Sequence, residues 1–235
     1  HGVAALALGG RWESLYFFAA ATELPENATP LAHAIRTGNP AIVNIVTGLL
    51  AAAIYRWRTH GESGLLDLSL LFFATYSLFG GFGYLMFDSI FFHANDEHVG
   101  DWQKVIALLG GGVQWRAAIG AVGTIGYLTT FFTLPRWAGT LARSKAELFT
   151  ITVLPYMFGT AVALVLAAGH PLGTSVGFAI VGSKFGMGYC GLFWAYFMGR
   201  EHVSDEGRLK LIDRINVPVS LGAAVALVAA TLLAY

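Results

Sequence analysis

The chain has 235 residues, of which 56% are hydrophobic and only 12% charged, and its formal net charge is zero. An ordinary globular domain carries about 25% charged residues, so this chain lacks the charge to coat a water-facing surface, and lipid is the solvent that accounts for the shortfall. Zero net charge excludes the basic footprint of a nucleic-acid binder, and the single cysteine, Cys190, excludes an intrachain disulfide and a cysteine metal site.

In chain order, the sequence opens at His1, without an initiator Met and inside an apolar stretch. No basic n-region of a signal peptide precedes that stretch, and the reading expects a chain whose beginning is missing. Residues 1–10 make up part of a helix. Residues 11–18 carry Arg11 and Glu13 and then alternating bulky side chains, the pattern of a strand or an interfacial segment. Residues 22–40 hold Pro25, Asn27, Pro30, Gly38 and Pro40 and read as a loop. A transmembrane helix needs about 20 mostly apolar residues. Six segments approach that: 41–55, which is short, then 65–92, 117–134, 148–168, 176–198 and 217–234. The expected fold is all-α, a polytopic transmembrane helix bundle with about six spans plus a partial N-terminal helix, forming a single transmembrane domain over 1–235. The 29 glycines read mainly as close-packing sites between helices.

The connections carry a charge pattern. Segment 56–63 has Arg56 and Arg58; 135–146 has Arg136, Arg143 and Lys145; 199–215 has Arg200, Arg208, Lys210 and Arg214. The alternate connections, 93–102 and 169–173, have no Lys or Arg, a contrast of nine against none. Basic residues favour the cytoplasmic side, which assigns 56–63, 135–146 and 199–215 to the cytoplasm. The Ala-rich, Cys-poor composition suits a bacterial inner membrane.

Ligand-type residues gather on the opposite side. His93, Asp96, Glu97, His98 and Asp101 fall in one short connection, and His170 lies in the other. Imidazole with carboxylate suits zinc; an ordinary solvated acidic loop is the competing reading. Two charges fall inside spans, Asp88 near the end of one and Lys184 nearer the middle of another. Such charges are costly and mark functional sites, although Lys184 can also snorkel or pair with Asp88. A retinal-type pocket needs a lysine and a carboxylate counter-ion; Lys184 and Asp88 are the one pair available, in surroundings that do not resemble that family. Trp115 and Arg116 read as interface anchors.

The opening residues, His1-Gly-Val-Ala-Ala-Leu-Ala-Leu-Gly9-Gly10-Arg11-Trp12, resemble the stretch that follows the HExxH motif in the site-2-protease-like family of intramembrane zinc metalloproteases. On that alignment His1 is the second histidine of the motif, and the first histidine and the glutamate lie just before residue 1. Gly38-Asn39-Pro40-Ala41-Ile42-Val43-Asn44 with Gly48, and Gly83-Tyr84-Leu85-Met86-Phe87 followed by Gly100-Asp101-Trp102, resemble later segments of the family. The likeness covers 1–135; residues 136–235 add further membrane helices. The resemblance implies a zinc cofactor held by His1 and a carboxylate from a later helix, with Asp101 the first candidate and Asp88 the second. It implies a reaction in which a zinc-activated water hydrolyses peptide bonds of membrane-embedded substrates. Two histidines at i and i+4 share one helical face and can hold one metal, with the intervening glutamate as general base. His93, His98 and Lys184 make a possible additional polar site. The competing reading is a non-catalytic membrane protein, an accessory subunit of a larger complex or a small transporter, whose partners are the lipid bilayer and neighbouring subunits.

Overall fold

The computed structural model describes residues 2–15, 20–57, 64–91, 100–169, 173–182, 186 and 189–203. The element order is α1 (Gly2–Ala7), β1 (Arg11–Leu15), β2 (Ala20–Glu23), α2 (Pro30–Trp57), α3 (Gly64–Phe91), α4 (Asp101–Leu108), α5 (Val113–Leu141), α6 (Lys145–Ala168), α7 (Thr174–Val181) and α8 (Cys190–Gly199), closed by a short 3-10 turn at Arg200–His202. The described residues are all-α apart from one small hairpin. Among the described residues, four helices are long and apolar enough to cross a membrane: Pro30–Trp57, Leu66–Ile90, Val113–Leu141 and Lys145–Ala168. At about 1.5 Å rise per residue, the 28 residues of α2 reach beyond a hydrocarbon core about 30 Å thick. Much of their apolar surface finds no protein partner. In the most apolar window of α5 only 28% is buried, and Val122, Ile125, Leu128 and Phe132 stand exposed along it. Water would penalise such a surface, whereas lipid does not. The chain is therefore an α-helical integral membrane protein.

Two compact units can be distinguished, His1–Leu50 with Tyr76–Thr130, and Ala51–Thr75 with Phe131–Tyr235. In the first, α1 ends in a Schellman turn. Gly9 takes φ +76°, its N–H donates to the Leu6 carbonyl at 3.1 Å, and the N–H of Gly10 donates to Ala5 at 2.8 Å. Only glycine takes that left-handed position without strain. The chain then enters β1, which pairs antiparallel with β2, Arg11 opposite Glu23 and Trp12 opposite Thr22, with a bulge between Trp12 and Ser14. The Trp12 indole lies so close to Gly2 that a Cβ there would sit 2.9 Å from the ring. The expectation of a strand over 11–18 is met in its first half; residues 16–19 lie outside the described ones.

The loop expected over 22–40 is corrected. Its first residues complete β2, and from Pro30 onward it is helix. Thr29 Oγ1 accepts the Ala32 N–H at 3.2 Å, and Pro30 fills the first helical position, where its missing N–H costs nothing. The short span 41–55 is thus the second part of a full-length helix. One stripe of α2 faces its neighbours: Ala34, Ala41 and Ile45 join Leu85 of α3 and Trp102 and Val105 of α4 in a shared apolar cluster. Backbones approach closely here. A Cβ on Gly81 would lie 2.6 Å from Ile45 Cγ1 and 2.9 Å from the Ala41 carbonyl, and one on Gly123 of α5 would meet the backbone of Met86.

The connection between α3 and α5 also differs from expectation. Asp101 and Trp102 belong to α4, an eight-residue helix that buries Trp102, Gln103, Val105 and Ile106. Gly110 and Gly111 take φ +100° and +68°, so these glycines serve the turn after α4 and not helix packing. Lys104 lies on α4, so the chain between α3 and α5 carries one basic residue just beyond 93–102.

In the second unit, Tyr55 stacks on Trp137 with ring centroids 5.1 Å apart and donates from its hydroxyl to the Trp137 carbonyl at 3.4 Å. α6 packs against α7 and α8. It starts at a Ser144 N-cap, with Glu147 reaching one residue further back than in a capping box. Ser144 Oγ accepts the Glu147 N–H at 3.1 Å. The Glu147 carboxylate takes the Arg143 N–H at 2.6 Å and the Arg143 Nε at 2.9 Å. Arg136, expected in a loop, lies within α5. The expected span 176–198 contains α7 and α8, with residues 183–185 and 187–188 outside the described ones, and 217–234 lies wholly outside them.

Candidate functional site

Tyr84 and Asp88 lie one turn apart on α3, on the same face of the helix. Opposite them α4 begins. Its N-cap is Gly100, which has no side chain to satisfy the free N–H groups of the first turn. Asp88 fills that role from the neighbouring helix, its Oδ2 accepting the Trp102 N–H at 3.0 Å. The Gln103 side-chain amide donates to the main-chain carbonyl of Asp88. Gly100 lies directly against the carboxylate, where any Cβ would overlap it. Asp88 is 2% exposed, so this carboxylate is enclosed by the helix it caps.

Asp101 is held on the other side of the same junction. Tyr84 donates its hydroxyl to Asp101 Oδ2 at 2.8 Å and accepts the Asp101 N–H at 3.3 Å. A hydrogen bond to a charged acceptor contributes roughly 1.5–3 kcal/mol, and this one fixes the orientation of a half-buried carboxylate. One residue beyond Asp88, the Ser89 carbonyl accepts from Arg116 Nε at 3.3 Å and Nη2 at 3.2 Å. Arg116, expected as an interface anchor, thus ties the start of α5 to the end of α3.

The two carboxylates singled out from the sequence, Asp88 and Asp101, are therefore brought to one junction, through Tyr84 and Trp102. Tyr84, Gly100 and Trp102 fall in the segments that carry the family resemblance. Gln103 is a further member of the junction; its signal in the sequence is an amide between Asp101 and Lys104 in the first turn of a short amphipathic helix. The other sequence-derived site residues, His1, His93, His98 and Lys184, lie outside the described residues, as do Asp96, Glu97 and His170.

Among the described residues no three His, Cys, Asp or Glu side chains gather to hold a metal. Two carboxylates, each already taken up by a protein donor, do not by themselves fit zinc, which in catalytic sites takes mostly imidazole ligands. What the junction can do chemically is hold one carboxylate enclosed and a second oriented by a phenol, at the end of a membrane span. Compared with protein-family models, curated proteins and solved structures, the chain matches none.

Proposed function

We propose that the chain is the membrane-embedded part of a zinc-dependent intramembrane peptidase similar to the site-2-protease-like family, or an inactive descendant of one. Its substrates would be membrane-embedded polypeptides. The observation that carries this reading is the N-terminal motif. The residues after His1 run as a helix that closes at Gly9-Gly10 and passes into a strand at Arg11. A histidine four residues before His1 would share a helical face with it. That helix belongs to the same compact unit as Asp88 and Asp101.

In this reading zinc is the cofactor, His1 one ligand, and Asp101 the carboxylate ligand ahead of Asp88. Asp101 is preferred because it is less enclosed and because the Tyr84 hydroxyl orients it, as outer hydrogen bonds orient metal-bound carboxylates. His93, His98 and Lys184 are held as a further polar site. The proposal includes six spans, with 176–198 and 217–234 added to the four long helices. It also includes a bacterial inner-membrane location with 56–63, 135–146 and 199–215 cytoplasmic.

A second reading, a non-catalytic accessory subunit or small transporter, is favoured by one observation. Asp88 and Asp101 are both engaged by the fold itself, one as a helix cap and one by a tyrosine. One assay separates the readings: elemental analysis of the purified full-length protein, with its upstream sequence read. The peptidase reading expects about one zinc per chain, an upstream HExx, and loss of the metal in Asp101→Ala. Zinc unchanged in that variant moves the ligand role to Asp88. Protein without zinc, from a gene without the upstream motif, establishes the accessory reading instead.

A further inference from the structure

A cavity of about 430 Å³ opens between the end of α3 and the first turns of α5, lined by Ser89 and Ile90 on one side and by Arg116, Gly120, Ala121 and Thr124 on the other. Its size falls within the range of small-molecule sites, about 300–1,000 Å³. Its two ends differ in chemistry. At one end is the Arg116 guanidinium, fixed by the Ser89 carbonyl. Beside it stands Ser89, which is 4% exposed. No Asp or Glu is among the described residues that line the cavity.

Away from that end the lining becomes small and apolar. Gly120 presents no side chain, and a Cβ there would reach only ordinary contact, 3.4 Å from Ser89 Cβ and 3.9 Å from Ile90. The slot runs along α5 from its first turns into the span. Both helices have their span ends here, at Ile90 and Val113, so the polar end lies at headgroup depth and the apolar end points into the hydrocarbon.

We propose that this cavity binds a phospholipid, its phosphate on Arg116 and an acyl chain along Gly120, Ala121 and Thr124. A basic pocket between membrane helices is suited to an anionic headgroup, and the adjoining slot selects an amphiphile over a free anion.

The test uses the full chain, purified in detergent and stripped of lipid, then titrated with phosphatidylglycerol, diacylglycerol or inorganic phosphate while bound mass is read by native mass spectrometry. A single phosphatidylglycerol is expected to remain bound, with diacylglycerol held at least about tenfold more weakly and millimolar inorganic phosphate unable to displace the lipid. Arg116→Gln and Gly120→Leu each lower retention, the first by removing the charge and the second by filling the slot, while Arg116→Lys retains most of it. Should Arg116→Gln fail to fold, Gly120→Leu decides alone, because it leaves the Arg116 contacts in place. Equal retention of diacylglycerol, displacement by inorganic phosphate, or retention unaffected by Gly120→Leu overturns the proposal.

Discussion

Asp88 illustrates how a buried charge can be read two ways. Inside a span a carboxylate is expensive, and the usual inference is a functional site. Here its Oδ2 caps the first turn of α4 through the Trp102 N–H, because Gly100 at the N-cap has no side chain to do so. The two roles separate in substitution. Asn keeps an oxygen in the same place, so Asp88→Asn should leave thermal stability in detergent nearly unchanged. Asp88→Ala leaves the Trp102 N–H unsatisfied in a buried place, a cost of about 1–3 kcal/mol, and should lower the melting temperature clearly. Should Asn prove as damaging as Ala, the carboxylate charge itself matters and the capping account is wrong. Tyr84 and Asp101 form the other half of the junction, and neither pairing could be read from spacing alone. Tyr84 and Asp88 are neighbours by helical period, but their partners come from a segment beyond residues 92–99.

At the level of elements, helix starts were written in the sequence more clearly than helix ends. Thr29-Pro30 and Ser144-Lys-Ala-Glu147 are both start signals, a capping side chain before a helix former. The prolines and glycine of 22–40 and the charges of 135–146 mask these signals, so hydropathy starts both helices late, at 41 and 148 against Pro30 and Lys145 in the fold. Pro40 and Pro135 sit inside α2 and α5. Membrane helices tolerate this where neighbouring helices, Ser or Thr side chains and small local adjustments re-satisfy the freed backbone groups. Removing the α6 cap tests the assignment. Ser144→Ala should cost about 1 kcal/mol, read as a lower melting temperature. Ser144→Asp should restore most of the loss, since Asp caps as well as Ser; if it does not, the Ser144 hydroxyl serves some purpose other than capping.

For the whole molecule, apolar length and scarcity of charge demanded a membrane, and four helices of span length follow. Orientation rests on the charge pattern, to which the fold adds one basic residue, Lys104 of α4, just beyond the connection 93–102 that has no Lys or Arg. Single-cysteine labelling decides it, with Cys190 first replaced by Ser. Cysteines at Arg56 and Arg143 should be protected from a membrane-impermeant thiol reagent in intact cells, and one at Lys104 should react. The reverse pattern inverts the proposed topology.

By itself the sequence determined that this protein lives in lipid, that it is helical, and roughly where its spans run. These properties are sums over many residues, and transfer free energy accumulates along the chain without regard to what each helix touches. The hairpin after α1 was partly legible as well, from alternation and from the glycines that end the helix. Only the tertiary structure decided that Asp88 caps a helix supplied by another segment, that Asp101 is held by Tyr84, and that Ser89 and Arg116 flank a cavity. Each of these depends on two stretches far apart in the chain meeting at hydrogen-bond distance. That meeting is set by the packing of α3 against α4 and α5, which no local pattern encodes.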